Sequence, residues 1–324
     1  MTDKQIQKIH QQFLVWDSHA CFPLKPNADL SELKRYQESG VNFVSINIGM
    51  DMDSFENVLQ VLAGYRNYIR SHSEDYVLAI SVDDILHAKE AGRLAIAFDL
   101  EGSEPLLGNI NLISLFYDLG VRQMLLAYNK DNRASGGCLE GKWGLTDFGK
   151  EVVREMNRVG MVVDASHMSH RATMDVFELS KDPAIFSHSN PGGLRSHVRN
   201  VTDEQIVACA NTGGVIGING IGDFLGGITS ERVIEHVEYV IDLVGPKHVG
   251  IGLDYVVDKQ ELMDYVTGHP EIFPPDKMQD FISFVEPEQF PEFTEILYRK
   301  GYGEQIISDI LGGNFLRVAK DVWK

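Results

Sequence analysis

The sequence lacks a long hydrophobic run, paired cysteines and an excess of basic residues. No stretch approaches the roughly 20 consecutive apolar residues of a membrane-spanning helix, which excludes a helical membrane protein. The three cysteines, Cys21, Cys138 and Cys209, form no closely spaced pair, which excludes a disulfide framework. With 29 Lys and Arg against 47 Asp and Glu, the net charge of −18 excludes a basic face for nucleic acid or anionic lipid. We therefore expect a small-molecule partner and neither nucleic acid nor membrane.

Both ends of the sequence agree with this expectation. Residues 1–16 are polar and amphipathic and contain no apolar core of a secretion signal. Residues 310–324 carry charges throughout, unlike the hydrophobic tail that precedes a lipid anchor. Unpaired cysteines are typical of a reducing compartment, so the sequence predicts a soluble, cytoplasmic protein.

The main feature of the sequence is a set of eight short apolar runs, each of which ends in polar residues. Most are separated by an amphipathic, helix-compatible segment, and this alternation is typical of buried parallel strands connected by helices. Eight such units predict an α/β fold, a closed (β/α)8 TIM-type barrel, in which the carboxyl ends of the strands meet at one site. The runs occupy residues 14–19, 41–47, 94–101, 122–129, 161–167, 184–189, 214–219 and 248–255.

The domain organisation is predicted to be simple. A length of 324 residues permits two domains, but α/β barrels of this size form one domain, and the sequence contains no linker or internal repeat. We predict a single domain over 1–324. Residues 257–324 form a C-terminal extension packed near the barrel mouth, irregular to about residue 293 and followed by two closing helices.

The first candidate ligands are a histidine and a cysteine two residues apart. Strand alternation places His19 and Cys21 on one side of the first strand, and an imidazole with a thiolate suits zinc. Taken alone, the pair is also typical of a buried cysteine beside a hydrogen-bonded histidine. Glu101 ends the third run beside Gly102, where an isolated carboxylate is more often a solvated loop residue than a ligand.

Two further histidines follow consecutive strands. His167 and His188 are 21 residues apart, which is the interval of one helix and one strand, so they should stand side by side at the barrel mouth. Asp164, Ser166, Ser187 and Ser189 are expected to supply supporting hydrogen bonds. Asp254 ends the last run, where a carboxylate can accept a proton from water and return it to a leaving amine. The combination predicts a metal-dependent hydrolase.

Several longer motifs resemble the membrane (renal) dipeptidase family of zinc peptidases, which belongs to the amidohydrolase-like barrels. The similarity covers nearly the whole chain. It implies a distorted, metallo-dependent hydrolase-like (β/α)8 barrel, a binuclear zinc site, a homodimer and hydrolysis of dipeptides, in many members with a D-residue at the C-terminal position. The motifs are GLTDFGKEVVREMNRVGMVVDASHMSH, FSHSNPGGLRSHVRNVTDEQI, GGVIGING, HVGIGLDY and ILGGNFLRV.

The resemblance assigns most of the metal ligands residue by residue. His19 matches the histidine of the family's His-x-Asp pair on the first strand, which binds one metal. Glu101 matches the carboxylate that bridges both metals, and His167 and His188 match the two histidines of the second metal. Cys21 departs from the pattern, because it stands where the family has Asp.

The resemblance also implies the catalytic and substrate-binding residues. Asp254 matches the residue that transfers the proton, and Arg199 matches the arginine that binds the substrate carboxylate. Tyr128 stands where the family has a substrate-facing histidine. Without the resemblance, Arg199 would be interpreted as a surface residue and Tyr128 as a core aromatic.

The two departures leave the chemistry of the site open. A thiolate binds zinc at about 2.3 Å rather than about 2.0–2.2 Å, so Cys21 could hold the metal, hold it too tightly, or leave the first position empty and one zinc on His167, His188 and Glu101. Tyr128 is a neutral phenol with a pKa of about 10 and stabilises an oxyanion less than a charged histidine. We expect a weakened first position and low ordinary dipeptidase activity.

We interpret the sequence as a zinc-dependent, dipeptidase-like hydrolase. It cleaves the amide bond of a dipeptide or dipeptide-like molecule with a free carboxylate and uses one or two zinc ions. One alternative is an enzyme on the same barrel that acts on a non-peptide amide or as an isomerase. Another is a non-catalytic binder of small carboxylates, although such a protein has no use for a proton-transferring Asp254.

Overall fold

The computed structural model describes residues 3–141, 143–275 and 282–324. Within these ranges the chain alternates between strands and helices in the order that the sequence predicts. The strands are β1 (Trp16–Cys21), β2 (Phe43–Met50), β3 (Tyr76–Leu78), β4 (Leu94–Glu101), β5 (Val121–Leu125), β6 (Val162–Asp164), β7 (Ile216–Ile218), β8 (Val249–Ile251) and β9 (Tyr255–Val256).

The helices lie mainly between consecutive strands, and short 3₁₀ turns and one π-helical turn, Asp309–Gly313, complete the described structure. The α-helices are α1 (Asp3–His10), α2 (Leu33–Glu38), α3 (Phe55–Ser71), α4 (Val82–Glu90), α5 (Asn111–Asp118), α6 (Asp147–Val159), α7 (His170–Leu179), α8 (Asp203–Asn211), α9 (Gly222–Leu225), α10 (Ser230–Val244), α11 (Lys259–Gly268), α12 (Phe290–Arg299), α13 (Glu304–Ser308) and α14 (Asn314–Val322).

The strands form a parallel barrel. The main sheet has the order β6-β5-β4-β2-β1-β9, and β7 pairs with β8. Parallel bridges from Asp164 to Ile185 and from Phe186 to Ile216 connect β6 to β7 through the run at 184–189. On the other side, β9 continues the last run and pairs with β1. All eight predicted runs therefore take part, and the α/β barrel is confirmed.

Burial explains why the strands were recognisable in the sequence. Every residue of β2 and β4 is buried, as expected for strands covered by helices on one face and by the barrel interior on the other. The helices turn apolar faces toward the sheet. In α6, for example, Val152, Val153 and Met156 are buried, Thr146 caps the first turn, and Gly160 ends the helix at φ 93°.

Irregular strand pairing occurs where the strands approach the barrel mouth. The register between β1 and β2 shifts between Asp17 and Ala20, and the register between β2 and β4 shifts between Asn47 and Met50. Such bulges change the direction in which the following side chains point. His19 lies inside the first irregular stretch, so the local distortion helps to set the direction of a predicted ligand.

Two elements were not expected from the sequence. Strand β3 pairs with the beginning of β4, with Tyr76 opposite Leu94, and lies outside the eight predicted runs. Helix α11 occupies part of the segment expected to be irregular. Asp258 caps it, because its carboxylate accepts hydrogen bonds from the backbone of Gln260 and Glu261.

The C-terminal extension is not confined to the barrel mouth. Leu262 and Tyr265 of α11 line the cavity at the mouth. In contrast, Phe315 of α14 stacks with Trp16 at the beginning of β1, with ring centroids 6.1 Å apart, at the opposite end of the barrel. Residues 276–281 of the extension lie outside the described ranges, and the single-domain organisation stays a prediction. Among the described helices, none has both the length and the apolar composition needed to cross a membrane.

Candidate metal centre

All the predicted site residues lie together at the carboxyl ends of the strands. Six of them line one cavity, and the remaining two, His19 and His188, are buried against Glu101 beneath it. The full set is His19, Cys21, Glu101, Tyr128, His167, His188, Arg199 and Asp254. Residues that are scattered along the sequence thus form one site, as the barrel predicts.

The closest group consists of His167, His188 and Glu101. Nε2 of His167 lies 2.9 Å from Nε2 of His188. The Oε1 atom of Glu101 lies 3.2 Å from the first of these nitrogens and 3.4 Å from the second. Three potential ligand atoms therefore face one point at the barrel mouth.

The partners of the two Nδ1 atoms determine where the imidazole protons lie. His167 Nδ1 donates to Asn129 Oδ1 at 2.7 Å. His188 Nδ1 donates to Ser187 Oγ at 2.7 Å, and Ser187 Oγ in turn donates to the carboxylate of Asp164. These networks assign the proton of each neutral ring to Nδ1, so both Nε2 atoms present lone pairs.

Electrostatics favours the neutral form of both rings. Burial, followed by nearby Arg199 and His19, holds the pKa of His167 well below its ordinary value. Burial and the neighbouring His19 and His167 do the same to the pKa of His188. Neutral imidazole is the form that binds a metal ion. Two lone pairs that face each other at 2.9 Å fit a shared cation.

A second group surrounds His19. Its Nε2 lies 3.5 Å from Cys21 Sγ, from Glu101 Oε1 and from Asp254 Oδ1. Cys21 Sγ lies 3.6 Å from Asp254 Oδ1. On the other side of the ring, His19 Nδ1 lies 3.2 Å from Asp99 Oδ1. Because Glu101 Oε1 contacts all three histidines, it joins the two groups.

Most ligand separations in the two groups are those of a zinc site. Nitrogen and oxygen ligands at about 2.0–2.1 Å in a tetrahedron lie about 3.3–3.4 Å apart, and a sulfur ligand at about 2.3 Å lies about 3.5–3.6 Å from its neighbours. The separations of 3.2 and 3.4 Å around Glu101 and of 3.5 Å between His19 and Cys21 agree with these values, whereas the 2.9 Å between the Nε2 atoms of His167 and His188 is shorter. The residues present therefore fit a divalent metal.

The buried carboxylates of the site also favour the binding of a cation. Asp99, Glu101 and Asp254 all lie within 3.5 Å of His19 and are almost fully buried. The pKa of Glu101 is raised to about 8. Burial is the main cause, Asp254 adds to the increase, and His19 opposes it. Burial likewise raises the pKa of Asp254 and of the Cys21 thiol. A buried cluster of carboxylates is costly unless positive charge compensates it, and a bound divalent cation would supply such charge.

Three asparagines orient the site and were missed by the sequence analysis. Asn47 Nδ2 donates to Glu101 Oε2 at 2.5 Å, and Asn219 Nδ2 donates to Asp254 Oδ2 at 2.8 Å. Asn129 accepts from His167. A signal was available, because each asparagine is the last residue of an apolar run. An isolated asparagine after a strand is so common in turns, however, that this position alone did not identify them.

The backbone at the site adopts unusual conformations. Asn129, His167 and Asp254 have φ values of 62°, 63° and 55°, in the left-handed region that side chains other than glycine rarely occupy. Non-glycine residues in this region cluster at functional sites, where the surrounding structure holds them. Here all three lie three or four residues after the end of a strand, in the loops that follow β5, β6 and β8.

A buried arginine and an aromatic ring complete the cavity wall. Arg199 is only 3% exposed, its Nη2 donates to the carbonyl of His188 at 3.3 Å, and its Nε contacts no acceptor among the described residues. Its guanidinium carbon lies 5.5 Å from the centroid of the Phe224 ring. Tyr128 stacks on the ring of His167 with centroids 4.2 Å apart. The cavity thus offers a buried cation to an anionic ligand.

Comparisons with known proteins agree with this geometry. The sequence model described as "Membrane dipeptidase (Peptidase family M19)" matches residues 3–273. A protein of Schizosaccharomyces pombe named as an uncharacterized dipeptidase is 32% identical over 229 residues, which are 68% of this chain and 51% of that protein. The chain thus spans about half the length of this curated relative.

Solved structures share the whole fold. An amidohydrolase from Pseudomonas aeruginosa is 27% identical, with a TM-score of 0.90 over 98% of this chain and 99% of that chain. A metallo peptidase from Rhodobacter sphaeroides, liganded with a phosphinate mimic of the dipeptide L-Ala-D-Ala, has a TM-score of 0.78 at 20% identity, over 96% of this chain and 99% of that chain. With the family match over residues 3–273, the chain belongs to the membrane dipeptidase family, peptidase family M19.

Proposed function

We propose that the protein is a zinc-dependent dipeptidase that cleaves dipeptides with a free carboxylate, of the L-Xaa-D-Xaa class. The observation that carries the proposal is the convergence of Nε2 of His167, Nε2 of His188 and Oε1 of Glu101 within 3.4 Å, in a cavity that also contains a buried arginine. The ligand of the Rhodobacter sphaeroides metallo peptidase supports the choice of an L,D dipeptide.

Two metal positions follow from the two groups of ligands. His167, His188 and Glu101 would hold one ion, and His19, Cys21 and Glu101 would hold the other. A divalent metal bound there supplies a Lewis acid that activates water and polarises the scissile carbonyl. Asn47 and Asn129 keep the ligand atoms directed at these positions through their hydrogen bonds to Glu101 and His167.

Cys21 is proposed to be a working ligand in place of the family's Asp. Its Sγ lies 3.5 Å from His19 Nε2, which is the separation that zinc with nitrogen and sulfur ligands requires. Sulfur from cysteine and nitrogen from histidine are both ordinary zinc ligands. The weakened first position expected from the sequence is the alternative outcome of the same experiments.

The other side chains bind substrate and move the proton. Arg199 binds the substrate carboxylate through its guanidinium, whose Nε has no other partner among the described residues. Asp254, fixed by Asn219, takes the proton from the attacking water and gives it to the leaving amine, and burial raises its pKa in the direction that this role needs. Tyr128 keeps its phenolic proton, because burial raises its pKa well above 10, and donates to the developing oxyanion.

A panel of dipeptides tests the proposal. Zinc-loaded protein is assayed with L-Ala-D-Ala, L-Ala-L-Ala, their C-terminal amides and N-acetyl-alanine as a non-dipeptide amide. We expect hydrolysis of the free dipeptides, with the L,D isomer favoured, and little hydrolysis of the amides. Hydrolysis of the non-dipeptide amide alone would replace the proposal with another amidohydrolase. A cytoplasmic location and a homodimer stay predictions.

A further inference from the structure

Asn129 contacts a candidate metal ligand but belongs to neither group of ligands. It is the last residue of the fourth apolar run, its side chain is buried, and its Oδ1 lies 2.7 Å from His167 Nδ1. Its Nδ2 faces the carbonyl of Ile272 at 3.3 Å. This second contact fixes the amide orientation, because a carbonyl accepts and therefore faces the nitrogen rather than the oxygen.

The amide orientation determines the tautomer of His167. An amide oxygen can only accept, so the facing Nδ1 must carry the ring proton, and Nε2 is left with its lone pair directed into the site. The other tautomer would place two lone pairs 2.7 Å apart, between Nδ1 and Asn129 Oδ1. Asn129 thus favours the single form of His167 that can bind a metal through Nε2.

A turn that follows β5 holds this pair in place. The backbone N–H of Cys138 donates to the carbonyl of His167 at 2.9 Å, and that of Leu139 donates to the carbonyl of Asn129 at 2.8 Å. Gly137 packs so closely that a Cβ there would lie 2.3 Å from the backbone of Asn129. The turn therefore braces two neighbouring strand ends, both of which have left-handed backbones.

The two histidines of this group have different support. His188 Nδ1 donates to the hydroxyl of Ser187, and this hydroxyl donates to the carboxylate of Asp164. His167 has a neutral amide and no carboxylate in the equivalent position. A partner with negative charge raises the basicity of an imidazole ligand more than a neutral partner does. His167 should accordingly be the weaker of the two ligands.

We infer that Asn129 is the positioning residue that fixes the tautomer and direction of His167, and that its neutral amide sets the metal affinity of this group. The inference rests on the proposed function in one respect, because it takes His167 as a metal ligand. Loss of a residue that orients a ligand typically lowers metal affinity 10–100-fold. A carboxylate in its place should increase the affinity.

The experiment measures zinc affinity and tautomer separately from catalysis. Zinc dissociation constants are obtained by chelator competition for the parent, Asn129→Leu and Asn129→Asp, and ¹⁵N spectra of histidine-labelled, metal-free protein report which ring nitrogen of His167 carries the proton. We expect Nδ1–H in the parent, about 10–100-fold weaker zinc binding in Asn129→Leu, and binding in Asn129→Asp at least as tight as in the parent.

Other outcomes separate this inference from the proposed function. An Nε2–H signal for His167 in the parent, or equal zinc affinity in the parent and Asn129→Leu, would overturn the role of Asn129. If Asn129→Leu does not fold, the tautomer of His167 in the parent and the zinc affinity of Asn129→Asp still test the role of Asn129. Normal zinc and tautomer results in a protein that hydrolyses no dipeptide would contradict the proposed function and leave the role of Asn129 supported.

Discussion

The Nε2 atoms of His167 and His188 lie 2.9 Å apart, and the Nδ1 atom of each ring already donates to another acceptor. The two rings therefore direct lone pairs at one another across the barrel mouth, with Glu101 as a third acceptor beside them. A divalent cation bound by both nitrogens would remove the repulsion between these lone pairs, and the catalytic proposal depends on such a cation.

Removal of either histidine should lower metal content and activity together. In His167→Ala and His188→Ala, one of three ligands to the same ion is lost, so we expect the zinc content measured by mass spectrometry to fall by about one equivalent. His170→Ala is a matched control, because its ring pairs with Glu204 and its side chain is 46% exposed. Full zinc content in both ligand variants would refute the assignment.

Substrate anchoring by Arg199 can be tested from both sides. Arg199→Lys loses the planar pair of donors that matches a carboxylate, and an amidated dipeptide loses the carboxylate itself. Each change should lower kcat/KM by at least about tenfold. The control is Arg195→Lys, whose side chain contacts Asp223. Equal turnover of free and amidated dipeptides by the parent would rule out this role.

Cys21 decides how this chain differs from the family pattern. If its thiolate is a ligand, the parent binds two zinc ions, and zinc X-ray absorption detects sulfur at about 2.3 Å. Cys21→Ser should then lower the stoichiometry toward one, and Cys21→Asp should bring no gain. If the first position is instead weakened, Cys21→Asp raises stoichiometry and dipeptidase activity, and Tyr128→His adds to that increase.

Acid should destabilise the fold through His10. Burial lowers its pKa to about 4, and the ring connects α1 to α12 through Thr294 Oγ1 at 2.7 Å. The unfolded state, with a pKa of about 6.5, binds the proton first, so this stabilisation is complete above pH 6.5 and is lost as the pH falls toward 4.

The measurement is the unfolding free energy of the parent and of His10→Gln in urea. The advantage of the parent should shrink by about 2 kcal/mol between pH 7 and pH 5. His236, whose pKa burial also lowers to about 4, contributes equally to both proteins and cancels in the comparison. A difference that does not change with pH would show that His10 is protonated without cost.

The fold was predictable because its signal is repeated. Most strands of the barrel are buried on both faces and appear as apolar runs, and the interval of 21 positions from His167 to His188 corresponds to one repeating unit. Strand β3 was missed because only Tyr76 of its three residues is fully buried, so it lacks the two buried faces of β6, β7 and β8. Helix α11 was missed because its apolar residues, such as Leu262 and Tyr265, are only partly buried and lie in a segment rich in Asp, Glu and Pro.

The site was only partly predictable, for a different reason. Histidines and acidic residues at strand ends can be recognised as possible ligands or catalytic groups from their residue type alone. Asn47, Asn129 and Asn219 do not, because their role depends on which side chain they meet across the barrel mouth. The bulge between Asp17 and Ala20 depends on pairing with β2 and has no signature within β1 itself.

The most direct test of the central claim is a zinc titration of metal-free protein while the hydrolysis of L-Ala-D-Ala is followed. We predict no hydrolysis without metal, a rate that rises in proportion to added zinc, and saturation at one or two equivalents. Hydrolysis at the full rate without metal, or none at saturating zinc, would contradict the account.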